Sequence, residues 1–218
     1  MNGCKSEAGN MKKIGVLALQ GAVREHLHMI EALGCEAVPV TRAENLVGLH
    51  GLVLPGGEST TMRKLLDRYE LLEPIRLLAN KGLPIFGTCA GLILLAREVV
   101  DFEPHVAVMD IKVARNSYGR QVDSFEVDLN IEGIGESVPA IFIRAPHIVS
   151  VGQQVKILAT YDDRIVLAQD GHLLGCSFHP ELTKDTRIMQ YFIENIVCKC
   201  GYDLQNTASY STVWLKFN

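Results

Sequence analysis

Residues 14–19 read IGVLAL, almost wholly apolar and without polar alternation. A strand buried on both faces has that pattern, because helices cover both sides of a parallel sheet. Residues 22–33 (AVREHLHMIEAL) instead place apolar side chains at helical spacing, and Gly34 follows as a helix-ending residue. The alternation continues along the first half. Residues 36–40 and 51–54 predict strands, 60–72 a helix, 83–86 a fourth strand and 90 to about 100 another helix. Alternating strands and helices of this size predict a mostly parallel sheet with helices on both faces.

The second half alternates at strand period. Residues 111–129, 139–151 and 155–181 read as strands joined by turns, with Asp170-Gly171 as a hairpin signal. A helix over 185–197 closes a single domain spanning 11–197. Residues 1–10 and 198–218 break the pattern, and Met11 opens MKKIGVLALQG as a natural start; both ends read as non-native or irregular tails. No internal repeat or low-complexity segment is present.

Ligand sites in open parallel sheets lie beyond the carboxyl ends of the strands. Three unusual stretches fall there: LQG at 19–21, PGGES at 55–59 and GTCAG at 87–91.

Composition narrows the partners. With 48% hydrophobic and 21% charged residues, the 218-residue chain can bury one good core, and its formal net charge of −4 argues against nucleic-acid binding. No apolar run reaches the roughly 18 to 20 residues of a membrane span, and MNGCKSEAGN lacks a secretory leader's apolar stretch. Six cysteines, at 4, 35, 89, 176, 198 and 200, form no CxxC pair, which fits reduced thiols in a cytoplasmic protein. Cys198 and Cys200 supply too few ligands for zinc, so no metal site is expected.

Gly87-Thr88-Cys89-Ala90-Gly91 has the G-x-nucleophile-x-G shape of a nucleophile elbow. The glycines permit a sharp strand-to-helix turn, the helix N-terminus favours thiolate over thiol, and the Ala90 N–H becomes an oxyanion donor. A glycine-flanked turn around a buried cysteine would read the same way, and both readings stay open at this point.

A thiolate attacking an acyl carbon needs a base, and the base needs orientation. His179 ends a strand in GCSFHPEL, and residues i and i+2 of an extended segment face the same side, so Glu181 pairs plausibly with its ring across Pro180. A plain surface turn is the alternative. In PGGES, Gly57 is a candidate second oxyanion donor, and Glu58 a candidate acceptor for a substrate ammonium. Helix capping by Glu58 or Ser59 is compatible with both. Arg115 and Arg144 are candidates to fork onto a carboxylate or are plain surface residues. His147 is a reserve base, and Gln20 a candidate hydrogen-bonding group near the pocket.

GTCAG, PGGES and HPE, in this order and at these separations, resemble the class I, triad-type glutamine amidotransferases. Within that class, LALQGAVREH, LPGGESTTMRKL, RNSYGRQVDSFE, IRAPHI and GCSFHPELT resemble the glutaminase subunits of pyridoxal 5′-phosphate synthases. The likeness runs from about Met11 to Val197. It implies a flavodoxin-like three-layer α/β sandwich with a central, mostly parallel mixed sheet. It also implies Cys89 as nucleophile, His179 as base and Glu181 as its partner. Gly57, Glu58 and Ser59 are implied at the glutamine site, completed by Arg115, Ile143 and Arg144, with no cofactor or metal. The implied partner is a (β/α)8-barrel synthase subunit in an assembly of twelve of each, which uses the released ammonia. Its contact is expected on the active-site face, including LQGAVREH, and Gln20 and Arg24 substitutions test that placement. Rival readings are an amidotransferase serving another synthase, a cysteine peptidase on the same fold, and a non-catalytic binding module. ESTTM and RNSYGRQVDSFE favour the vitamin B6 branch by resemblance.

Overall fold

Strand β1 (Lys13–Leu17) lies between β2 (Glu36–Val40) and β3 (Gly51–Leu54), parallel to both. β4 (Ile85–Thr88) follows β3, and β12 (Leu173–Cys176) follows β4, again in parallel. This 2-1-3-4-then-next order is that of a flavodoxin-like sheet. The computed structural model describes residues 11–115, 124–202 and 204. Most of the expected tails, and residues 116–123 within RNSYGRQVDSFE, lie outside them.

Beyond β12 the sheet turns antiparallel. β11 (Arg164–Asp170) joins β12, and β9 (His147–Val151) joins β11, both antiparallel. β6 (Met109–Ala114) is antiparallel to β9, while the edge strand β5 (Ala96–Val99) is parallel to β6. β10 (Lys156–Tyr161) branches from β11, completing ten strands. β7 (Ser124–Ile131) and β8 (Gly135–Ile143) form a separate hairpin. The expected turn at Asp170-Gly171 joins β11 to β12: Asp170 pairs with Leu173, and Gly171 takes φ 55°.

Helices cover both faces. α2 (Ser59–Arg68), α3 (Leu72–Asn80) and α4 (Ala90–Leu95) pack on one core with Leu17, Leu52 and Leu54. α1 (Val23–Ala32) and the closing helix, α5 (Arg187–Tyr191), pack on the other with Val16, Val53 and Phe86. Successive residues of β3 therefore enter opposite cores, which is why its sequence shows no polar alternation. The result is a flavodoxin-like three-layer α/β sandwich. No helix among the described residues is long and apolar enough to cross a membrane.

Four expected elements need correction. The helix predicted over 60–72 ends at Arg68; Glu70 has φ 53°, and a second helix, α3, follows with Pro74 in its first turn. Proline is tolerated there because first-turn N–H groups have no intrahelical partner. The helix predicted to run to about 100 stops at Leu95, and residues 96–99 become β5. Every residue of α4 is buried, so no polar face marks its period, and the helix cannot be told from the strand that follows by spacing alone. The fourth strand begins at Ile85 and runs to Thr88 rather than over 83–86. The closing helix starts at Arg187 and continues as a π-helical turn over Phe192–Val197.

Candidate active site

Cys89 follows β4 directly and has φ 49° and ψ −102°, a backbone region that L-residues rarely adopt. Such strain costs on the order of 1–3 kcal/mol and persists only where the surroundings over-determine it. Here the flanking glycines do so by close approach. A Cβ on Gly91 would collide with the Leu54 carbonyl of β3, and one on Gly87 would stand 2.5 Å from the Gly91 oxygen. The elbow is thus pressed against the neighbouring strand, leaving Cys89 at its tip with 7% exposure. Its Sγ lies 3.9 Å from the Ile143 carbonyl at the end of β8.

His179 follows β12, the strand beside β4, and its Nδ1 is 2.8 Å from Glu181 Oε1. The pair is made across a tight 3-10 turn, Pro180–Leu182, rather than along an extended segment. Both side chains are buried. Burial alone would push the imidazole pKa down. Its interactions with Glu181 and with the neighbouring Cys89 outweigh it and raise the ring to about 10. With Nδ1 committed to Glu181, Nε2 is left for the sulfur. A ring raised in this way favours its protonated form, with Nδ1–H donated to Glu181.

The PGG turn closes the site from the β3 side. A Cβ on Gly56 would collide with the His179 ring, and one on Gly57 would meet Gln20 Oε1 at 2.5 Å. The Gly56 carbonyl accepts from the Ala22 N–H at 3.2 Å, and the Glu58 N–H donates to Gln20 Oε1 at 2.9 Å. Gln20 is thus part of this turn's support.

Glu58 caps α2. Its carboxylate accepts from the N–H groups of Thr60 (3.1 Å) and Thr61 (2.6 Å) and from the Thr61 hydroxyl (2.7 Å). Partial burial works against the charge, but these donors prevail and lower its pKa to about 2. Arg115 Nη2 lies 3.3 Å from Glu58 Oε1, and its guanidinium stacks over Phe102 with 4.3 Å to the ring centroid. Ser59 is buried at the start of α2, its Oγ without a hydrogen-bond partner among the described residues.

A profile of the SNO glutamine amidotransferase family matches residues 16–198, more than three-quarters of the chain. The chain belongs to the SNO glutamine amidotransferase family. Its relatives include the pyridoxal 5′-phosphate synthase subunits PdxT of Geobacillus thermodenitrificans (62% identical) and Geobacillus kaustophilus (63%). Each match covers 84% of this chain, with 95% and 94% of the respective relative. A crystal structure of a glutamine amidotransferase superposes with a TM-score of 0.80 at 48% identity, covering 83% of this chain and 97% of its own. PurLQS from Thermotoga maritima, at 19% identity and TM-score 0.66 (85% of this chain, 99% of that one), shares the fold.

Against this SNO-family frame, the remaining sequence candidates divide. Ile143 reaches the cluster through its backbone carbonyl. Arg144 is exposed with φ 41° and makes no polar contact to the cluster among the described residues. His147, the reserve base, opens β9; its pKa is lowered by burial and by Arg164, with no contribution from Cys89. One residue escaped the sequence reasoning. His26 of α1 is fully buried, with Nε2 3.2 Å from Thr88 Oγ1 and 3.5 Å from Glu181 Oε2. The signal was present: His26 shares the inward stripe of α1 with Met29 and Ile30, at the i+3 and i+4 positions.

Proposed function

We propose that this SNO-family amidotransferase hydrolyses L-glutamine to L-glutamate and ammonia with Cys89, His179 and Glu181, and passes the ammonia to a pyridoxal 5′-phosphate synthase. The observation that carries the reading is the buried His179–Glu181 pair, 2.8 Å apart, on the strand beside the one that carries the Cys89 elbow. A cationic ring in that position stabilises a thiolate and holds the proton that the leaving group needs.

The Cys89 sulfur attacks the side-chain amide carbon of glutamine, forming a C–S bond, and the amide oxygen becomes an oxyanion. The backbone N–H groups of Gly57 and Ala90 receive that charge; losing one such donor raises the barrier by roughly 3 to 4 kcal/mol. The imidazolium of His179 gives its proton to the amide nitrogen, the C–N bond breaks and ammonia leaves. Water then adds to the glutamyl thioester while His179 takes its proton, the C–S bond breaks, and glutamate departs. Glu181 holds the ring and its charge through both halves. Each step closes on the three side chains, the amide and one water.

Glu58, Ser59, Arg115, Ile143 and Arg144 form the glutamine site in this reading. Glu58 stays anionic and half exposed, so it can accept from the substrate ammonium while capping α2. Arg115, stacked on Phe102, presents its guanidinium to the substrate carboxylate.

Ammonia freed into water is protonated and lost as a nucleophile, so a partner that takes it directly is expected. The names of the Geobacillus relatives support a pyridoxal 5′-phosphate synthase in that role. The partner is the (β/α)8-barrel subunit, in a cytoplasmic assembly of twelve of each chain, contacted on the face that carries Gln20 and Arg24. The test is glutamate and ammonia release from glutamine, with and without that barrel subunit, for wild type and Cys89→Ala. Partner-dependent release that the substitution abolishes supports the reading, and a silent wild type in a verified complex refutes it.

A further inference from the structure

His26 lies outside the three reacting side chains yet touches both ends of their arrangement. From α1, its Nε2 reaches Thr88, the residue before the nucleophile, at 3.2 Å, and Glu181, the carboxylate behind the base, at 3.5 Å. Glu181 has committed Oε1 to His179, and Oε2 has no closer donor among the described residues. A buried carboxylate oxygen without a donor is costly, and Glu181 is buried. His26 is the group placed to supply that donor.

We infer that His26 is a positioning residue of the triad, a neutral imidazole whose Nε2–H is shared between Glu181 Oε2 and Thr88 Oγ1. Chemistry selects the tautomer. Were Nε2 bare, its lone pair would face those of a carboxylate that can only accept. With the proton on Nε2, the bare nitrogen is Nδ1, which is buried and has no hydrogen-bond partner among the described residues. Burial holds the ring neutral by lowering its pKa, with His179 acting in the same sense and Glu181 and Glu25 opposing it. A neutral donor fixes the second carboxylate oxygen without adding a cation that would compete with His179 for its charge. The carboxylate is then held at both oxygens and cannot rotate away from the base. Because Thr88 precedes Cys89, the same nitrogen ties the carboxylate to the elbow.

The inference rests on the reading of Cys89, His179 and Glu181 as the catalytic triad, and the experiment separates the two. Glutaminase kinetics are measured in the complex with the barrel subunit for wild type, Cys89→Ala, His26→Leu and His26→Gln. His26→Leu should lower kcat roughly 10- to 100-fold, the equivalent of one hydrogen bond to a charged group, and leave KM for glutamine within about twofold. His26→Gln places an amide N–H near the Nε2 position and should recover most of the loss, which mere space-filling cannot explain. In parallel, nitrogen-15 NMR of imidazole-labelled wild type should show His26 as the neutral Nε2–H tautomer near neutral pH, a readout independent of any variant's folding. A Cys89→Ala complex that stays active would overturn the triad reading and the inference with it. With Cys89→Ala inactive, wild-type kcat in folded His26→Leu, failure of His26→Gln to exceed His26→Leu, or an Nδ1–H or cationic His26 would overturn the inference alone.

Discussion

Gly56 is packed against His179 so closely that a Cβ would collide with Cε1 of the ring and stand 2.8 Å from Nδ1. The His179 ring is thus held from two sides, by Glu181 through a hydrogen bond and by bare backbone through contact. Gly56→Ala should displace the ring from Cys89. Since misplacement of about 1 Å costs on the order of 100-fold, kcat should fall by that order while circular dichroism shows a folded protein. Near-wild-type turnover would mean that the turn yields instead of the ring.

The strained backbone at Cys89 makes a stability prediction. Cys89→Gly and Cys89→Ala should both abolish glutaminase activity, but only glycine accepts φ 49° without a Cβ penalty. Cys89→Gly should be the more stable of the two by about 1 kcal/mol in reversible urea unfolding, the relief of strain exceeding the added chain entropy. Equal stabilities would show that the elbow carries no strain.

Glu58 separates charge from capping. Glu58→Gln keeps an acceptor for α2 but loses the charge, so it should lower thermal stability near neutral pH, while KM for glutamine rises. Glu58→Ala should in addition cost about 1 kcal/mol of stability through loss of the cap. The acid limb follows from its lowered pKa. The carboxylate's contribution is fully present above its ordinary pKa of 4.5 and is lost as pH falls toward about 2. Melting temperatures of wild type and Glu58→Gln should therefore converge through that window.

Glu181→Gln removes the anion behind the His179 ring. The pKa of His179 should drop from about 10, and kcat should fall on the order of 10⁴-fold, as when the carboxylate of a related triad is replaced by its amide. The sign for stability follows. A ring whose folded pKa is raised contributes fully below its ordinary 6.5 and loses that contribution as pH rises through about 10. The stability gap between wild type and Glu181→Gln should be widest below pH 6.5 and narrow toward alkaline pH. A gap constant across that range would refute the charge-based account.

The parallel half of the sheet and the pairing of His179 with Glu181 were legible for physical reasons. A strand such as GLVL at 51–54 must be apolar on both faces, and GTCAG must carry glycine wherever the elbow touches β3. Helix α3 and strand β5 were not. Glu70 breaks the helical run without a glycine or proline to announce it, and α4 is buried all round. His26 was hidden for a different reason. A histidine in an apolar stripe looks like core until its two oxygen partners, 62 and 155 residues further along the chain, are seen beside it.

The placement of β12 has a consequence for biosynthesis. Cys89 is carried by β4, but His179 arrives only when β12, 85 residues after the end of β4, slots in beside it. A nascent chain leaving the ribosome therefore carries Cys89 long before His179 can stand beside it. Long-range strand pairing of this kind forms slowly and late. The neighbourhood of Cys89 and His179 is consequently made by completion of the sheet, and an unfinished or truncated polypeptide that lacks β12 holds the cysteine without the histidine beside it.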